Sequence, residues 1–159
     1  MIRINEDLLR QVSQKANVSK RKRMNYNFHS DLADTFQRML NCMEPETYCQ
    51  PHKHRNPPKR EVFIILKGSV VVVQFDNSGN IAEYILLSNN TGNYGVEIPP
   101  FTWHTIIALE PGSVVYECKD GPYDVLTDKD FANWAPEEGS DETTAFKKKL
   151  LNQMGLVSY

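Results

Sequence analysis

Between Glu61 and Lys119 the chain alternates short runs of β-branched and aromatic residues with clusters of turn formers. Glu61 to Leu66 stops at Lys67-Gly68, and Ser69 to Phe75 stops at Asp76-Asn77-Ser78-Gly79-Asn80. Ile81 to Leu87 reads as the return strand from that hairpin loop. Asn89-Asn90-Thr91-Gly92-Asn93, Pro99-Pro100 and Glu110-Pro111-Gly112 then set off Val96 to Ile98, Trp103 to Leu109 and Ser113 to Lys119. Upstream, Thr35 to Met43 is followed by the turn Glu44-Pro45-Glu46-Thr47, which favours a strand and a hairpin into Tyr48-Cys49-Gln50. About seven or eight short strands at this spacing predict an all-β sandwich or barrel.

A helix is predicted at each end. Asn5 can cap the first, Glu6 and Asp7 suit the positive end of its dipole, and Leu8, Leu9, Val12 and Ala16 form one apolar stripe. It should end near Asn17. The second should run from about Ser140 or Asp141 to near Gly155, with Phe146, Leu150 and Met154 on one face. The domain reading is one unit over 1–159. It comprises an N-terminal helix and lead-in at 1–33, a barrel at 34–126 and a C-terminal helical segment at 127–159.

Composition removes several function classes. The 159 residues carry 18 Lys plus Arg against 20 Asp plus Glu, a net charge of −2, so charge-driven binding to nucleic acid or anionic lipid is not expected. No run approaches the roughly 20 apolar residues of a membrane helix, and the N-terminus has no apolar signal core, so a cytoplasmic location is expected. Cys42, Cys49 and Cys118 are odd in number and have no ligand spacing, which favours reduced thiols. Lys20-Arg21-Lys22-Arg23 reads as a solvated surface segment, with anion binding the weaker alternative.

Of the four histidines, His52 and His54 are separated by one residue. On a strand this spacing points both imidazoles to one side. Glu61 opens the next β-rich run after the loop at Pro57-Pro58, and a hairpin return could bring its carboxylate beside them. His104 opens a later strand. Three imidazoles and a carboxylate converging inside a barrel would suit Zn, Fe, Mn, Ni or Cu without a thiolate. Taken singly, each of these residues has an ordinary alternative: a packed histidine, or a glutamate on a solvated face.

The segment Cys49 to Gly68, C-Q-P-H-K-H-R-N-P-P-K-R-E-V-F-I-I-L-K-G, resembles the first cupin motif, with His52, His54, Glu61 and Gly68 at its marked positions. Pro99-Pro100-Phe101-Thr102-Trp103-His104 resembles the second, with Phe101 where that motif usually has Gly and Ala108 where it often has Asn. Six residues separate His54 from Glu61, more than the usual three or four. Further segments are similar to the WbuC-like cupin fold metalloproteins. They include Asn27-Phe28-His29, Gln37 to Asn41, Thr47-Tyr48, Gly121-Pro122-Tyr123 and Phe131 to Glu138.

The resemblance implies a cupin double-stranded β-helix, a jelly-roll barrel with a helix at each end. It implies a divalent transition metal (Zn, Fe, Mn or Ni) held by His52, His54, Glu61 and His104. It also implies a small-molecule ligand linked to surface-polysaccharide chemistry, such as a sugar or sugar nucleotide, and is compatible with a homodimer. A metal-dependent enzyme and a non-catalytic sugar-binding module both fit. Tyr48, Gln50, Asn41 and Glu117 are candidate partners for the second ring nitrogens. Arg38, Tyr48, Trp103 and Lys119 are candidate pocket residues, and His29 stands outside both motifs, as a packing histidine or at the pocket mouth.

Overall fold

The structure, a computed structural model, describes residues 1–156. Helix α1 (Glu6–Val18) begins at Asn5, whose side chain accepts from the Leu8 N–H at 3.1 Å. Strands β1 (Arg23–Asn27), β2 (Phe36–Met43), β3 (His52–Lys53), β4 (Glu61–Lys67) and β5 (Ser69–Phe75) follow. Then come β6 (Ile81–Ser88), β7 (Gly95–Ile98), β8 (Trp103–Ala108), β9 (Ser113–Asp120), β10 (Asp130–Phe131) and helix α2 (Thr143–Gln153). All strand pairs are antiparallel, in two five-stranded sheets ordered β1-β2-β9-β4-β7 and β10-β3-β8-β5-β6. This is the jelly-roll architecture expected from the strand spacing.

Each face of the sheets has its own apolar layer. Phe63, Ile65, Val70, Val72, Ile106 and Val115 fill the space between the sheets. Leu9, Val12 and Ala16 of α1 cover Leu40, Cys42 and Val114 on the outside of the first sheet. Burying a side chain such as Leu9 contributes roughly 2 kcal/mol. Leu150, Leu151 and Met154 cover Val71, Val73 and Phe75 on the outside of the second. β5 is therefore buried on both faces, which is why Val70-Val71-Val72-Val73 is continuous rather than alternating. Gly68, at φ +72, turns β4 into β5; a Cβ there would stand 2.5 Å from the Ser113 hydroxyl oxygen.

Four local expectations differ. Tyr48-Cys49-Gln50 forms no strand, because the chain there crosses from β2 in one sheet to β3 in the other. The hairpin partner of Glu61 is not the histidine strand: β4 pairs with β7 and β9, and β3 pairs with β8 and β10. The basic run is a turn from α1 into the unforeseen edge strand β1, with Lys22 at φ +56. Its partner is internal, since Arg21 and Arg23 bond the Glu138 carboxylate at 2.7 and 2.6 Å. Burial opposes ionisation of Glu138, yet the two guanidiniums hold its pKa down to about 2. Finally, Asp130–Phe131 is a strand, so the sheet extends into the segment read as helical.

Candidate metal centre

Antiparallel register sorts the side chains of the first sheet. Residues directly opposite share a face, so Gln37, Lys119 and Glu61 form one inward row, and Met39, Glu117 and Phe63 the next. The first row and Glu117 place charge at one end of the barrel, while the apolar layer fills the remainder. From the second sheet, His52 on β3 lies directly opposite His104 on β8, with ring centroids 4.5 Å apart. His54 follows β3 and is held by its carbonyl, which accepts from the Phe101 N–H at 3.1 Å.

The two sheets thus bring His52, His54, Glu61 and His104 together, with one ligand atom from each within 4.8 Å of all the others. All four are buried, at 1 to 5% exposure. His52 Nδ1 lies 2.9 Å from the Gln50 carbonyl, His104 Nδ1 lies 2.9 Å from the Thr102 carbonyl, and His54 Nδ1 meets the Asp128 carbonyl. A carbonyl only accepts, so each Nδ1 carries the hydrogen and donates. Each neutral ring then presents the lone pair of Nε2 to the cluster.

That arrangement calls for a cation. The Nε2 atoms of His52 and His54 are buried with no hydrogen-bond partner. His104 Nε2 stands 2.9 Å from Glu61 Oε2 and His54 Nε2 stands 3.6 Å from it, acceptor against acceptor. Two donors each about 2.1 Å from one ion and at right angles are about 3.0 Å apart. Three imidazoles and a carboxylate therefore fit a divalent transition metal, a donor set that suits zinc, iron, manganese or nickel. Burial keeps His52 well below its ordinary pKa, helped by Lys129 and His104, so the ring stays in its ligating form. Burial works against ionisation of Glu61, but the adjoining ring nitrogens of His104 and His54 and the nearby Lys119 charge outweigh it and hold the carboxyl well below its usual range.

A second charged group adjoins the cluster. Glu117 accepts from the Asn41 amide at 3.0 Å. Burial, and then the neighbouring Glu61, push its pKa up to about 7. Lys119 donates to Asp128 at 2.8 Å, and Lys59 donates to the other oxygen of the same carboxylate at 2.7 Å. Burial pulls the Lys119 pKa down, but Glu61, Glu117 and Asp128 outweigh it and raise it.

Several residues expected at the pocket lie elsewhere. Arg38 pairs with Cys118 on the outward face of its sheet and bonds Asp34 at 3.1 Å. Trp103 alternates with His104, so it faces away; Lys53 Nζ lies 4.0 Å from its ring centroid. Tyr48 donates to the Pro136 carbonyl at 2.9 Å and packs edge-on against Phe146, near α2. Of the candidates for orienting the histidines, only Gln50 does so, through its backbone. His29 is buried but meets the backbone of Arg38. Lys59 and Asp128 lie outside the candidate residues: Lys59 stands beside Arg60 after the Pro57-Pro58 loop, and Asp128 stands among other charged residues in the segment read as helical.

Phe101 takes φ +67 where the cupin motif usually has glycine. Left-handed backbone is costly for side chains, most of all branched ones, at about 1–3 kcal/mol. Phe101→Gly is expected to be more stable than Phe101→Val by about 2 kcal/mol in urea unfolding, although valine keeps more apolar surface. Equal stability would mean that the turn relaxes around either residue.

Known structures share this architecture. KdgF from Halomonas sp. aligns with a TM-score of 0.51 at 18% identity, over 67% of this chain and 85% of that one. An L-ribose isomerase from Cellulomonas parahominis gives 0.54 at 15%, over 71% and 70%. A cupin-like protein from Thermotoga maritima gives 0.53 at 16%, over 76% and 80%. At such identities the likeness establishes the cupin fold. No curated protein matches the sequence. Residues 4–87, more than half of the chain, match the family described as a domain of unknown function (DUF6016), and the chain belongs to that family.

Proposed function

We propose that this chain is a metal-dependent cupin enzyme acting on a sugar or sugar derivative, with a divalent transition metal held by His52, His54, Glu61 and His104. The observation that carries the reading is the pair of buried, unpartnered Nε2 atoms facing a carboxylate. The similarity of segments around both motifs to WbuC-like cupins supports a finer version, in which the substrate is an intermediate of surface-polysaccharide synthesis. An L-ribose isomerase among the proteins of similar fold is consistent with sugar chemistry.

A metal in this site, when bound, would polarise a carbonyl or hydroxyl of the ligand. The chain's own groups supply the rest. Glu117, with its pKa near 7, can hold or release a proton at its carboxyl, and the Asn41 amide fixes its orientation. Lys119, charged and buried, balances the carboxylates around it.

One observation favours a second reading. Four buried protein donors are the number a structural zinc takes, which fits a non-catalytic sugar-binding module. Elemental analysis of protein purified without added metal, followed by turnover assays on aldoses and sugar nucleotides, separates the two. The enzyme reading expects about one metal ion per chain and conversion that is lost in His104→Ala. A sugar that binds but is never converted, with affinity unchanged by chelation, would sink it. Global unfolding on chelation would favour the structural metal.

A further inference from the structure

We infer that Asp128 is a latch: it ties the segment 124–129 over the cluster and fixes the orientation of His54 through the same residue. The inference rests on the metal reading of the four-residue site. His52 and His104 take their orienting carbonyls from residues two positions earlier, Gln50 and Thr102, so their own strands hold them. His54 differs, because its carbonyl comes from Asp128, 74 residues away.

The segment that supplies it has little else to hold it. Asp124 closes a tight turn with the Leu126, Thr127 and Asp128 N–H groups. Val125 and Leu126 at its tip are 77% and 87% exposed, so no apolar anchor fastens it. Among the described residues, every hydrogen bond from 124–129 to the rest of the chain belongs to Asp128: its carbonyl to His54, and its carboxylate to Lys59 and Lys119. Both lysines are at least 95% buried, at 1% and 5% exposure. Water cannot readily replace the carboxylate, and breaking a buried pair costs far more than breaking a surface one. Release of the latch therefore withdraws the carbonyl of His54 in the same motion. Closure of the segment and completion of the ligand set are one event.

Coupling of this kind is reciprocal, so metal must also tighten the latch. In the wild-type protein, Zn²⁺ is expected to slow amide exchange at 126–128 at least about tenfold relative to the chelated form. Asp128→Asn keeps the carbonyl but loses the charge. It is expected to speed Zn²⁺ release to a chelator about tenfold or more, the scale of lost outer-sphere support. Its Cu²⁺ complex should show two coupled nitrogens by electron paramagnetic resonance where the wild type shows three, a change that a merely structural role would not produce. Lys59→Met combined with Asp128→Asn removes the unmatched charge and serves if the single variant does not fold. Wild-type protein that binds no metal overturns both this inference and the metal reading. Metal binding that leaves exchange at 126–128 unchanged, or a folded variant with wild-type release and three nitrogens, overturns the latch alone.

Discussion

His52→Ala and His54→Ala should each lower the affinity for Zn²⁺ by at least about 100-fold while leaving the two sheets folded. Outer-sphere partners alone are worth 10- to 100-fold, and each of these substitutions removes a direct donor. The expected effect is confined to the site because both imidazoles sit in its polar end, apart from the layer of Phe63, Ile65, Val70 and Val115 that holds the sheets together. His29→Ala is the control, a buried histidine bonded to the Arg38 backbone and outside the cluster, and should keep wild-type metal content. Competition with a chromophoric chelator measures the affinity, and circular dichroism reports the fold. Wild-type affinity in both His52→Ala and His54→Ala would remove them from the ligand set.

Glu117→Gln should stabilise the chelated protein by about 3 kcal/mol at pH 8 and by much less at pH 5. The unfolded carboxyl titrates near 4.5 and the folded one near 7, so the folded state binds the extra proton between those values. The wild type is consequently favoured at low pH and loses stability as pH rises from 4.5 to 7. The full loss is present above 7, where one pKa unit corresponds to about 1.4 kcal/mol. Glutamine keeps an acceptor for Asn41 and carries no charge to bury beside Glu61. The buried His52, whose pKa lies well below the ordinary value, acts oppositely. It costs both proteins stability as pH falls below about 6.5, and so cancels in the difference. Urea unfolding of both proteins at the two pH values reads the effect; a gap independent of pH would show that Glu117 is not held neutral by its surroundings.

The difference between what was legible and what was not follows the range of the interactions. The α1 cap at Asn5 and the hairpin through Asp76-Asn77-Ser78-Gly79-Asn80 depend on neighbours within a few residues, and they formed where local chemistry placed them. Strand β1 escaped notice because Arg23-Met24-Asn25-Tyr26-Asn27 is an edge strand with no fully buried residue, which leaves little apolar pattern to read. Arg38 had apolar neighbours, but nothing local says that α1 covers the face carrying Leu40 and Cys42 and that the barrel takes the face of Met39 and Asn41.

The site divides in the same way. The alternation of His52 and His54 and the placement of His104 at a strand start are written in the sequence, since a strand repeats every two residues. Which sheet supplies Glu61, which carbonyl orients His54, and that Lys59 and Lys119 meet over Asp128 are not. These pairings join residues 7 to 74 positions apart across two sheets, through a register set only when both apolar layers close. By itself the sequence determined most of the strands, the helix at each end and the donor types. The tertiary structure decided which donors face each other, because burial and cross-sheet geometry fix tautomers and ion pairs that no local pattern contains.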